Sequence, residues 1–229
     1  MSDPMDLAKL AVDVGLMTND WPSHQQLLAE VGVEYDHLLK IGRGVHQHRY
    51  AIGDSVLKVN SHRDELVATP SPLVGLRVAG AVDRPTARVT ADRVPIDIVP
   101  VGTDGIVDVE VRWRTHRPDE VAEFLEAGLG GVQEEERWRV GTSWFVVEAD
   151  PAAPEASEGL DGLGLRYLTV QVRNVVREHA RLVDLGYESA REPVRLGDTA
   201  CISFVRAPDG VWVEVSQRAS LTGALPVLH

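Results

Sequence analysis

The sequence predicts an α+β protein built from repeated β-α-β-β units, with curved mixed sheets and helices on the outer face. Three observations predict it. A Gly-centred turn feeding a hydrophobic strand occurs three times: "IGDSVLKV" (Ile52 to Val59), "VGTSWFVVEA" (Val140 to Ala149) and "LGDTACISFV" (Leu196 to Val205). A glycine at such a turn supplies the positive φ that a tight hairpin demands. A strand and then a helix precede each copy in the same order. Within the strands, aliphatic residues alternate with a polar and aromatic set, so each strand has one core-like face and one of different character.

The elements justify themselves in order. In the first copy "LAKLAVDV" (Leu7 to Val14) is the expected strand. "NDWPSHQQLLAEVG" is the helix, with Asn19 or Asp20 as cap, Pro22 early and Gly32 at the end. In the middle copy the strand runs from Ile106 to Trp113. The helix "RPDEVAEFLEAGLG" follows, with Pro118 in its first turn and Val121, Phe124 and Leu125 on one face. In the last copy the strand is Leu165 to Val172, and the helix has Asn174 as N-cap and Gly186 past its end. A fourth strand closes this copy, within "RAPDGVWVEVSQ" (Arg206 to Gln217), completing a βαβββ unit.

The interval between the first two turns is the longer one. It holds two more strand-like runs, Leu73 to Gly80 and Val94 to Gly102. These are either the close of the first unit or a degenerate unit that has lost its helix. The expected division is an N-terminal βαβββ-like region at 1–102, with the extra unit at 73–102, and a middle βαββ unit at 103–150. A Pro-, Ala- and Glu-rich linker follows at 151–162, then a C-terminal βαβββ unit at 163–220 and a tail at 221–229.

Composition narrows the partners. Hydrophobic residues are 44% and charged residues 25%, as in ordinary globular chains. A net charge of −12 offers no basic surplus for nucleic acid or an anionic membrane surface. The lone Cys201 excludes an intramolecular disulfide framework and a Cys-based zinc site. No signal-peptide pattern and no membrane-spanning apolar run is visible, so the expected location is cytoplasmic.

The alternation assigns faces. Leu168, Val170 and Val172 oppose Tyr167, Thr169 and Gln171; Val211, Val213 and Val215 oppose Trp212, Glu214 and Ser216; Val107, Val109, Val111 and Trp113 oppose Asp108, Glu110 and Arg112. A solvated face is one reading of the polar sets. Tyr, Gln and Trp beside a single Glu favour the lining of a ligand cavity.

Repeated βαβββ units, the "PDG" turn and a mid-strand Glu after it resemble the vicinal oxygen chelate superfamily. This superfamily includes glyoxalase I, extradiol dioxygenases, methylmalonyl-CoA epimerase, and fosfomycin and bleomycin resistance proteins. The resemblance is strongest over Leu163 to Ser220. It implies a U-shaped sheet around a divalent metal that acts as a Lewis acid, with Glu214 as a metal ligand. The family pattern also places a His near the start of each unit's first strand. Here Tyr167 and Asp108 stand in those places.

The replacement candidates lie in "GVHQHRYAIG", where His46 and His48 share a strand face with Tyr50. With Glu214 they would form a two-His, one-carboxylate set suited to Fe(II), Mn(II) or Zn(II), with Ni(II) as a further candidate. The alternative is that both histidines are half-exposed or hydrogen-bond within the cavity. His179 sits on a helix and packs or faces water, and His24, His37, His62, His116 and His229 show no partner spacing. No serine nucleophile elbow, Walker loop or dinucleotide fingerprint is present, and "GLGG" (Gly128 to Gly131) reads as a helix stop.

Two functions follow from the resemblance. One is a metal-dependent dioxygenase, lyase or isomerase acting on a small oxygen-rich or aromatic molecule. Glu214 and Tyr167 would be catalytic, His46, His48 and Glu214 would hold the metal, and Tyr50, Gln171, Trp212 and Trp144 would hold the substrate. The other is a metal-free binding or drug-sequestering protein using the same cup. A third reading leaves Glu214 simply paired with a cation. Three clear units, in a family that builds sites from pairs, point to a degenerate fourth unit or to a homodimer.

Overall fold

The computed structural model describes residues 4–42 and 44–228; His229 lies outside them. The chain runs β1 (Asp13–Thr18), α1 (Trp21–Glu30), β2 (Glu34–Gly42), β3 (Val45–Ile52) and β4 (Ser55–His62). Next come β5 (Leu73–Gly80), β6 (Thr86–Val89) and β7 (Pro95–Pro100), with no helix between β5 and β6. The third group is β8 (Val109–Thr115), α2 (Pro118–Glu123), β9 (Val132–Glu134), β10 (Arg137–Val140) and β11 (Ser143–Ala149). The last is β12 (Gly164–Gln171), α3 (Val175–Asp184), β13 (Glu188–Leu196), β14 (Ala200–Arg206), β15 (Trp212–Arg218) and the short α4 (Ala219–Thr222).

Two curled sheets result. The eight-stranded sheet has the order β13-β14-β15-β12-β1-β4-β3-β2, and the seven-stranded sheet β6-β7-β5-β8-β11-β10-β9. In the first, the antiparallel pair β1–β12 forms the seam, flanked by parallel β4 and β15. The second repeats the plan around the antiparallel pair β5–β8, flanked by parallel β7 and β11. The sheets share one apolar core. Val14, Leu16, Leu57, Val59, Leu168, Val170, Val213 and Val215 pack in the same cluster as Leu76, Val78, Ile96, Ile98, Val109, Val111 and Trp113. This leaves the opposite face of the eight-stranded sheet free to form a cup.

Local chemistry explains the boundaries. Asp20 and Asn174 accept hydrogen bonds from the backbone N–H of Ser23 and Arg177 at the starts of α1 and α3. Gly53, Gly141 and Gly197 have φ of 55°, 59° and 57°, the left-handed conformation that the three hairpins require.

Two strands depart from expectation. The first strand is Asp13–Thr18 and not Leu7 to Val14. It is buried at all six positions, so no alternation marks it. The strand expected from Ile106 begins at Val109, because Gly102–Ile106 folds into a tight turn that leaves Val107 exposed. Within the linker, Ala156 N–H donates to the Asp209 carbonyl and Leu160 packs with Leu163 and Trp212 beside Tyr167, so the segment folds against the end of the cup. No described helix is long and apolar enough to cross a membrane.

Candidate functional site

Strand alternation brings a polar set to the cup. β15 contributes Trp212, Glu214 and Ser216, and β12 contributes Tyr167, Thr169 and Gln171 in register with them. β1 adds Asp13 and Gly15, β4 adds Lys58 and Asn60, and β3 adds Gln47 and Arg49. Asp13, Lys58, Asn60, Thr169 and Ser216 are all buried. These five side chains are therefore shielded from water, while Trp212 and Glu214 stay partly exposed.

At its centre Lys58 Nζ donates to Glu214 Oε2 at 2.9 Å and to Thr169 Oγ1 at 2.6 Å. Thr169 Oγ1 in turn donates to Glu214 Oε2 at 2.9 Å. Burial weakens the hold of Lys58 on its proton, and the Glu214 charge opposes that effect. Both bonds to Glu214 fall on Oε2. Asp13 carries its own partner, Lys9, and also accepts from Gln171 Nε2 at 3.4 Å.

Gly15 makes the cup floor possible. A Cβ there would lie 1.9 Å from Cε1 of Tyr167, so only glycine lets that ring lie across β1. The Tyr167 hydroxyl accepts from Asn60 Nδ2 at 3.2 Å and from Gln47 Nε2 at 3.3 Å. Burial, and then the nearby Glu214 charge, push its ionisation far up, so the phenol keeps its proton. With both neighbours donating to the oxygen, that proton is available for another acceptor. Lys58 Nζ stands 5.5 Å from the ring centre.

Of the residues singled out in the sequence, Glu214, Tyr167, Gln171 and Trp212 come together here. Trp212 lies between Phe204, 5.6 Å away edge to face, and the Arg206 guanidinium, 4.2 Å from its ring centre. The structure does not bring His46, His48 or Tyr50 to Glu214. They project from the helix-covered face of β3. His48 stacks on Trp21 at 3.9 Å, Tyr50 accepts from Trp21 Nε1 at 3.1 Å, and His46 is exposed. Trp144 belongs to the other sheet, where Arg137 covers its ring and its Nε1 donates to Gly105. Asp108 accepts from Thr142 Oγ1 at 2.5 Å, away from the cup.

The residues present do not fit a divalent metal. A cation on Glu214 would compete with the Lys58 ammonium for the same oxygen, and Tyr167 offers a protonated phenol. Among the described residues, no three His, Cys, Asp or Glu side chains gather where they could hold a metal ion. Sequence reasoning missed Lys58, Gln47, Arg49 and Asn60. The available signal was the alternation in "SVLKVN", which sets Lys58 and Asn60 against Leu57 and Val59.

Comparison with known proteins agrees with this architecture. The sequence model of the Glyoxalase/Bleomycin resistance protein/Dioxygenase superfamily matches residues 109–215. Glyoxalase I from Zea mays has a similar fold, with a TM-score of 0.69 at 12% identity over 91% of this chain and 92% of that one. The cppA protein from Streptococcus pneumoniae aligns with a TM-score of 0.50 at 12% identity, over 91% of this chain and 99% of its own. No curated protein matches the sequence.

Proposed function

The chain carries, at residues 109–215, a domain of the glyoxalase/bleomycin resistance protein/dioxygenase superfamily, and on that premise we propose that it binds a small organic molecule in the cup of the eight-stranded sheet without a divalent metal. One observation carries this reading: Lys58 Nζ sits 2.9 Å from Glu214 Oε2, the carboxylate that the family resemblance would give to a metal. A buried ammonium supplies the positive charge that a metal supplies elsewhere, but as a hydrogen-bond donor.

The residue roles follow from donor and acceptor chemistry. Lys58 and the Tyr167 hydroxyl donate to oxygens of the ligand. Glu214 accepts from a ligand N–H or O–H through Oε1. Thr169 holds both members of the ion pair in place, and Trp212 and Phe204 supply an apolar wall. This is the metal-free alternative to the metal-dependent dioxygenase, lyase or isomerase.

Elemental analysis of the untagged protein tests the reading. The expected result is no stoichiometric Fe, Mn, Zn or Ni. One bound ion per chain would overturn it.

A further inference from the structure

We propose that the cup receives an oxyanion, the carboxylate or phosphonate end of a small organic acid, between Arg49, Arg218 and Ser216. This rests on the reading of the cup as a metal-free ligand site.

Five buried polar atoms on this face have no hydrogen-bond partner among the described residues: Nε of Arg49, Nε of Arg218, Oγ of Ser216, Nε1 of Trp212 and Oε1 of Gln171. Buried donors are nearly always paired, so such a cluster calls for a ligand atom. Four of the five can donate, which selects an acceptor-rich group. Arg49 is only 6% exposed, and its contact with the protein is a bond from Nη1 to Gln47 Oε1 at 3.0 Å.

Charge accounting points the same way. Lys58 is matched by Glu214 and Lys9 by Asp13. Among the described residues, neither Arg49 nor Arg218 forms an ion pair. The two guanidiniums instead repel, and after burial the Arg218 charge is the next cause that weakens the hold of Arg49 on its proton; Asp13 and Glu214 act in the opposite direction. An oxyanion between the guanidiniums relieves that repulsion and satisfies their planar donor edges.

The rest of the ligand follows from strand geometry. Arg218, Ser216, Glu214 and Trp212 succeed one another on the same face of β15, opposite Ala200, Ile202, Phe204 and Arg206 of β14. An acid bound at Arg218 therefore extends its body past Glu214 toward the Trp212 and Phe204 rings. Arg218 and Glu214 remain partly exposed and mark the side of entry. The class is a compact aromatic acid.

The probes are benzoate, phenylphosphonate and neutral benzamide, titrated into EDTA-treated protein and followed by tryptophan fluorescence and melting temperature. The two anions are expected to bind at least about tenfold more tightly than the amide, the scale of one charge-assisted contact. Arg49→Gln and Arg218→Gln should each remove that preference. Arg218 is partly exposed, so its variant tests the idea even if the Arg49 change impairs folding. Equal binding of benzamide, wild-type affinity in Arg218→Gln, or no saturable response to either anion would overturn the proposal. Stoichiometric metal in the purified protein is a separate result. It would defeat the metal-free reading while leaving the anion titration of the EDTA-treated chain to stand or fall by itself.

Discussion

Lys58 and Glu214 are 156 residues apart in sequence and lie on strands separated by β1 and β12, yet their charged atoms meet at 2.9 Å. The curl of the eight-stranded sheet brings them together, beside the Tyr167 ring that lies across Gly15.

The pair is asymmetric. Lys58 has 2% of its side chain exposed and Glu214 has 12%. Glu214→Gln leaves a buried ammonium without its counter-charge and should destabilise the protein by about 3–5 kcal/mol. Lys58→Met leaves a carboxylate that still reaches water, and should cost less. In the double variant Lys58→Met/Glu214→Leu stability should recover to near that of wild type. Urea denaturation of the four proteins measures the cycle.

Gly15 and Tyr167 form a second coupled pair. Gly15→Ala forces its Cβ into the Tyr167 ring, and overpacking of this kind costs about 1–3 kcal/mol. In a Tyr167→Ala background the same change should cost almost nothing. Equal cost in both backgrounds would show that the ring does not set the need for glycine.

Asp209 of the "PDG" turn fastens the two sheets together. It is fully buried, has φ of 56°, and accepts from Trp113 Nε1 at 3.2 Å and from Arg117 Nε at 3.3 Å. Asp209→Ala should cost about 2–4 kcal/mol, from the left-handed conformation and the orphaned indole N–H. Asp209→Asn tolerates that conformation and keeps an acceptor, so it should cost less by the same denaturation assay.

His48 sets an acid-side dependence. Burial, and then the neighbouring His46, lower its pKa below the usual 6.5. The unfolded chain therefore binds this proton more readily than the folded one. The stability contributed by neutral His48 is complete above about pH 6.5 and is lost as pH falls through the lowered value. His48→Phe preserves an aromatic partner for Trp21 and should flatten the fall in urea midpoint between about pH 7.5 and pH 5.

The sequence made the repeat visible because its signals are local. Asn174, Asp20, Pro118 and the turn glycines act on residues within one helical turn or hairpin. The polar face of β12 and β15 was equally legible, since Val170 and Val213 alternate with Thr169 and Glu214. The opposite happened in β3. In "VHQHRYAI" each alternating set mixes polar with apolar residues, so residue type does not say which faces the cup. Trp21 on α1 decides it by stacking on His48, which turns Gln47 and Arg49 inward. Lys58 was hidden for another reason. A mid-strand lysine reads as solvated, and its partner is set by sheet curvature, which no short stretch encodes.

The most direct test of the metal-free cup is calorimetric titration of Mn(II) and Zn(II) into EDTA-treated protein. The account predicts no saturable binding at Glu214 and no rise in melting temperature on adding either ion. Binding of one equivalent that disappears in Glu214→Ala would contradict it.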